Sequence, residues 1–162
     1  MNRRVITFGT FDLFHLGHLN IVRRARQLGD FLVVGVSSDA LNYSKKGIYP
    51  IYPLTHRLEI VRAIRYVNEV FVEESMELKR EYILRYRAHI LVMGDDWKGK
   101  FDEFGDICEV VYLSRTPVIS SSEIRIVCQD PSPDRPVRWD VWQAPISTSA
   151  SKGDGVVLHH SF

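Results

Sequence analysis

Thr7-Phe-Gly-Thr-Phe-Asp-Leu-Phe-His15-Leu-Gly-His18 is the stretch on which the fold turns. It follows Arg4-Val-Ile-Thr-Phe8, which reads as a strand ended by Gly9. It precedes a helical face in which Ile21, Val22, Ala25 and Leu28 recur at helical spacing from His18, with Gly29 as the stop. A strand, a tight loop and a helix start carrying two imidazoles make a phosphate-compatible site, because free backbone N–H groups and the positive end of the helix dipole meet there. Gly17 removes a side chain between the histidines and allows close approach.

The same alternation continues down the chain. Phe31-Leu-Val-Val-Gly-Val36 is a continuous apolar run, as in a parallel strand buried on both faces. Val70–Val72, Ile90–Met93 and Val110–Leu113 are three more strands. Helices are expected from Thr55, as N-cap, to about Tyr66, from Ser75 to about Arg87, and from Ser120 to Val127. Ser120 and Glu123 have capping-box spacing. Asn42 to Pro53, with a glycine, two prolines and several tyrosines, reads as an ordered but irregular loop. The expected fold is α/β, a five-stranded parallel sheet flanked by helices. Ligands bind such sheets beyond the carboxyl ends of the strands. The loops there are 9–18, 37–47, 94–100 and 114–122.

Composition narrows the class. The chain has 162 residues, 45% apolar and 25% charged, with a net charge of +1. That is one ordinary globular domain without a bulk signal for nucleic acid or membrane. No apolar run approaches the roughly 18 residues of a membrane span. No signal-peptide segment precedes the first strand, and Cys108 and Cys128 make no disulfide framework, so a cytoplasmic location is expected. Residues 1–128 read as the domain. Residues 129–162, with Pro131, Pro133, Pro136 and Pro145 and a Ser/Gly-rich run, read as a tail or linker with disorder over much of it.

Several side chains carry more than one reading. His15 and His18 serve as donors to a phosphate, as a helix cap, or as zinc ligands, although no third ligand lies nearby. Arg115-Thr116 and Ser120-Ser121-Ser122 form either a second anion cradle at a helix start or a well-capped helix with a surface arginine. Lys45 and Lys46 either close over phosphates or sit in solvent. Asp95-Asp96-Trp97 suits magnesium, a sugar or base, or a turn cap. Lys79 lies in a helical pattern, where a solvated face is the default.

Gly9-Thr-Phe-Asp-Leu-Phe-His15-Leu-Gly-His18 resembles the HxGH signature of the nucleotidyltransferase superfamily in its cytidylyltransferase form. Arg115-Thr116 with Ile119-Ser120-Ser121-Ser122-Glu-Ile124-Arg125 resembles that family's second signature, RTxGIS[ST][ST]xI. Met93-Gly-Asp-Asp-Trp97, Lys98-Gly-Lys-Phe-Asp102, Arg65-Tyr-Val67 and Glu109-Val-Val-Tyr112 are similar to the bacterial glycerol-3-phosphate cytidylyltransferases. The resemblance covers about residues 3–127. The chain departs from it at Val118, where the family has glycine, and in a segment from Lys45 to His56 one residue longer than usual.

The resemblance implies a Rossmann-like nucleotidyltransferase fold and transfer of CMP from CTP to sn-glycerol 3-phosphate, giving CDP-glycerol and pyrophosphate. His15, His18 and Arg115 would be catalytic. Thr10, Phe11, Gly17, Lys46, Asp96, Thr116, Ile119 and Ser120 to Ser122 would join them around the nucleotide, and Lys45 and Lys79 would contact the acceptor phosphate. Magnesium would come with CTP, without a protein-held metal. A homodimer is expected, and CDP-glycerol would feed teichoic-acid-like or capsular polymers. The alternatives are another phosphorylated alcohol such as phosphocholine or phosphoethanolamine, ATP in place of CTP, a nucleotide-binding module without chemistry, or one module of a longer polymer-building protein.

Overall fold

Alternate side chains of each apolar run enter two separate cores, one on each face of the sheet. The computed structural model describes residues 3–117 and 120–129. Its strands are β1 (Arg4–Gly9), β2 (Phe31–Ser37), β3 (Glu69–Glu73), β4 (Ile90–Gly94) and β5 (Glu109–Leu113). They form one parallel sheet in the order β3-β2-β1-β4-β5. Val5, Leu32, Val34, Val36, Ile90 and Val92 point to one face. There they meet Val22 and Ala25 of α1 (Leu16–Arg26) and Val61 of α3 (Leu54–Arg62). Ile6, Phe8, Val33, Leu91 and Met93 point to the other face, against Tyr82 and Ile83 of α4 (Lys79–Arg85) and Phe101 and Phe104. The period-two alternation of a strand explains the sorting. Gly35 leaves room on the second face: a Cβ there would stand 2.6 Å from Phe8 and 2.8 Å from Phe71, whose rings pack edge to face.

Strand order reverses between β1 and β4, which opens a crevice at their carboxyl ends, the place where such sheets bind ligands. The loop after β1 and the start of α1 sit at that crevice.

The helices differ from expectation in three places. Residues 39–46 are α2 (Asp39–Lys46), not irregular loop. Ser38 Oγ caps Leu41 N–H, and Gly47 ends the helix with φ of 69°, its N–H bonded to Tyr43 O. That left-handed stop favours glycine. Helix α3 starts at Leu54 with Pro53 in the cap position and stops at Arg62, so Thr55 is inside it. Helix α4 is shorter than Ser75–Arg87. Arg87 adopts φ of 50° and turns the chain so that Ala88 N–H reaches Ile83 O at 2.9 Å.

Helix α5 (Ser121–Gln129) follows its predicted cap: Ser120 Oγ accepts from Glu123 N–H at 3.2 Å and donates to its carboxylate at 2.7 Å. Val118, Ile119 and residues 130–162, with most of the segment read as a tail, lie outside the described residues.

Candidate active site

The loop after β1 is strained and held. Phe11 and Leu13 have φ of 53° and 46°, in the left-handed region, which costs on the order of 1–3 kcal/mol each. Asp12 between them is the anchor. Its carboxylate accepts the N–H groups of Ile51 and Tyr52, both at 2.9 Å, and pairs with Arg125 Nη2 at 3.0 Å. Its backbone oxygen accepts from Ser121 Oγ at 2.8 Å. Phe11 is buried and packs its ring 5.4 Å from that of His18. Asp12 thus ties the first signature segment to α5 and to the chain after α2.

His15 is the N-cap of α1, and its Nδ1 accepts Gly17 N–H at 3.0 Å. A neutral imidazole accepting at Nδ1 carries its proton on Nε2, which leaves a donor for the cavity. His18 stacks on His15, and its Nδ1 is buried without a partner among the described residues. Burial pushes the His18 pKa down to about 3, with His15 and Lys46 adding to the fall and Asp12 opposing it. Burial, then the Arg115 guanidinium, lowers that of His15, against Glu123. Both shifts favour the neutral imidazole, which retains one ring N–H on each residue.

Thr10 Oγ1 donates to Asn42 Oδ1, and the buried Asn42 amide donates to Ser37 O at 3.1 Å and Ser38 O at 2.8 Å. That anchor fixes α2, whose last turn carries Lys45 and Lys46. The lysines are therefore on an ordered helix end. Arg57 on α3 is fully buried and donates to Tyr52 O, Thr10 O and Ser37 O at 3.0, 2.6 and 2.9 Å, and to Asp39 Oδ1 at 2.5 Å.

The second signature segment joins the first through α1. Asn20 Nδ2 donates to Thr116 Oγ1 at 3.2 Å, and Arg24 Nη1 to Ser114 O at 2.8 Å. Arg115 is exposed, with Nη1 3.4 Å from Asp96 Oδ1.

One cavity of about 520 Å³ gathers these groups at the strand ends. Thr10, Phe11, His15, Gly17, His18, Lys45, Lys46, Lys79, Asp96, Arg115, Thr116 and Ser120 to Ser122 all line it. Among the residues predicted for the site, Ile119 alone is outside the description. Lys79 departs from the solvated default. It is 1% exposed, pairs with Glu73 and stands 3.7 Å over the Phe8 ring. Burial lowers its pKa, and Glu73 opposes the fall.

Asp12, Asn42, Arg57 and Glu73 were not singled out from the sequence. Asp12 lies within the first signature, and Glu73 follows a strand at the ligand-binding edge, which are usable signals. Arg57 and Asn42 leave no local sign, since their partners come from distant segments. Among the described residues, no group of three His, Cys, Asp or Glu side chains is placed to hold a metal ion. No described helix is long and apolar enough to cross a membrane.

The chain is similar over 124 residues to the glycerol-3-phosphate cytidylyltransferase of Bacillus subtilis (strain 168), at 50% identity, covering 76% of this chain and 95% of the relative. The enzyme of the same name from Staphylococcus aureus (strain NCTC 8325 / PS 47) is 43% identical, with 76% and 92% covered. Among solved structures, a lipopolysaccharide core biosynthesis protein from Thermoplasma volcanium GSS1 superposes with a TM-score of 0.64 at 25% identity, covering 72% of this chain and 99% of that one. The cytidylyltransferase-like family model matches residues 6–127. That span contains both signature segments and, apart from Arg4 and Val5 at the start of β1, every strand of the sheet, and the chain belongs to the cytidylyltransferase-like family.

Proposed function

We propose that the protein transfers CMP from CTP to sn-glycerol 3-phosphate, giving CDP-glycerol and pyrophosphate. The observation that carries this is the 50% identity over 124 residues to a relative named for that acceptor. The enzyme is a nucleotidyltransferase of the cytidylyltransferase type.

An oxygen of the acceptor phosphate attacks the α-phosphorus of CTP in line. The new P–O bond forms as the bond to the β-phosphate breaks, and pyrophosphate leaves with the electron pair. The protein has no covalent step to perform, so positioning and charge stabilisation do the work. The His15 Nε2–H and the His18 ring donate to the phosphates as charge develops. Arg115, Lys46, Thr116 and Ser120 to Ser122 hold the triphosphate, and Arg115 exchanges its long contact with Asp96 for phosphate oxygens. Thr10, Phe11 and Gly17 wall the nucleotide. Lys45 and Lys79 hold the acceptor phosphate.

Magnesium belongs to this reading as part of the nucleotide complex, where it screens the triphosphate; the described residues do not themselves assemble a three-ligand metal site. A homodimer, a cytoplasmic location and supply of activated glycerol phosphate to a polymer-building transferase complete the reading. The exposed apolar side chains of Ile48, Tyr49 and Ile51 support a partner surface, and sedimentation equilibrium tests it.

The deciding experiment crosses sn-glycerol 3-phosphate, phosphocholine and phosphoethanolamine with CTP and ATP, scored by pyrophosphate release. Turnover is expected with CTP and sn-glycerol 3-phosphate. Activity with ATP alone, or with another acceptor in place of sn-glycerol 3-phosphate, overturns the assignment.

A further inference from the structure

Glu73 ends β3 and is a carboxylate for which the reaction above has no use. It is 1% exposed. Its Oε1 receives Lys79 Nζ, and its Oε2 accepts from Ser37 Oγ at 2.6 Å. Ser37 Oγ lies 3.4 Å from Lys45 Nζ. Lys79, Glu73, Ser37 and Lys45 thus form one connected row, and all four line the cavity. Replacing a buried ion pair by packed apolar groups is often neutral or stabilising, so stability alone is a weak reason to keep this one.

The row addresses a definite physical problem. Two ammonium groups on one cavity wall repel each other, and burial disfavours the charged form of each. For both Lys45 and Lys79, burial is the leading influence toward the neutral amine, and Glu73 is the leading influence against it. The carboxylate lies between the lysines, touching one directly and the other through a hydroxyl. With one negative and two positive charges, the row still presents a net positive charge to an anion.

We propose that Glu73 is a positioning residue for the acceptor end of the cavity, holding Lys79 directly, and Lys45 by way of Ser37, aimed together at one phosphate group. As to the acceptor, this rests on the functional reading above. Glu73 acts through the lysines, and Ser37 sets the distance between their two anchors.

Glu73→Gln keeps the size of the side chain and removes its charge. The KM for sn-glycerol 3-phosphate is expected to rise about tenfold or more while the KM for CTP stays within about twofold, the signature of a lost charge-assisted contact to one substrate. Acceptor kcat/KM should fall off at a lower pH in the variant than in the parent as pH is raised, because Lys79 without its counter-charge releases its proton more readily. Glu73→Asp, which restores the charge, should recover part of the loss.

An NMR titration of lysine-labelled protein, with the Lys79 signal assigned by Lys79→Arg, should show the Lys79 midpoint moving down in Glu73→Gln. That titration needs no substrate. If the wild-type protein fails to use sn-glycerol 3-phosphate, the functional reading falls and the titration still decides the role of Glu73. An unmoved Lys79 midpoint, or an equal rise in both KM values, overturns the proposal. Should Glu73→Gln not fold, Ser37→Ala keeps every charge and removes one link. A selective rise in acceptor KM there supports the proposal, and an unchanged one overturns it.

Discussion

The ring of His15 stacks on the ring of His18, with centroids 3.9 Å apart and planes inclined by 25°. Two imidazolium ions at that separation would repel by roughly 4 kcal/mol even at an effective dielectric constant of about 20. The pair is therefore built to be neutral. In the proposed reaction its contribution to phosphate binding would be two directed N–H donors, and the positive charge would come from Arg115 and the lysines.

Removing one donor from such a preorganised pair should cost about 10²–10³ in rate. His18→Ala is expected to lower kcat by that factor at saturating CTP and sn-glycerol 3-phosphate, with an unchanged far-UV circular dichroism spectrum. Near-normal turnover would sink the role given to the ring.

The depressed pKa of His18 also has a thermodynamic consequence. The unfolded chain takes up a proton near the ordinary histidine pKa of about 6.5, while the folded state refuses it until about pH 3. Between those values the unfolded state binds more protons, so stability falls on acidification by up to about 1.4 kcal/mol per pH unit. Urea unfolding at pH 7 and pH 5 should show a loss of about 1–2 kcal/mol that His18→Asn removes. An equal loss in His18→Asn would mean that other groups carry it.

Arg57 joins four acceptors: the carbonyls of Thr10, Ser37 and Tyr52 and the carboxylate of Asp39. Arg57→Met should destabilise the fold by about 3–5 kcal/mol, because it strands buried acceptors. Arg57→Lys should recover little, since an ammonium lacks the fork that spans them. The urea midpoint measures both, and a loss under about 1 kcal/mol in Arg57→Met would show that water replaces the guanidinium.

Gly47 is a clean probe of backbone strain. Its φ is 69°, and a Cβ added there meets nothing within 4 Å. Gly47→Ala should cost about 1 kcal/mol through conformation alone, and Gly47→Asn less. A variant as stable as the parent would mean that α2 can end another way.

The strands and the first signature were legible because their information is local. An apolar run twice buried reads as a parallel strand, and a histidine at a helix start reads as a cap or anion donor whatever else the chain does. Helix α2 is not legible locally although Ser38 and Gly47 are ordinary start and stop residues, because a glycine, prolines and tyrosines dominate the segment from Asn42 to Pro53. Helix α4 begins at Lys79 and not at Ser75, whose Oγ accepts Glu77 N–H in a local turn, while its end falls within two residues of Arg87, which takes the left-handed turn without a glycine.

Lys79 shows where local reading stops. Seven residues of helix with a lysine at the start describe a solvated side chain equally well. Its burial depends on Phe8 from β1 and Glu73 from β3 arriving at the same place. The same holds for Asp12, whose partners come from residues 51, 52, 121 and 125. Short-range patterns were enough to establish the sheet and the two signature segments at its carboxyl edge. Long-range packing alone could join them into one cavity, bury its cations and place a carboxylate between two of them, because burial and charge pairing depend on neighbours in space, not on neighbours in the chain.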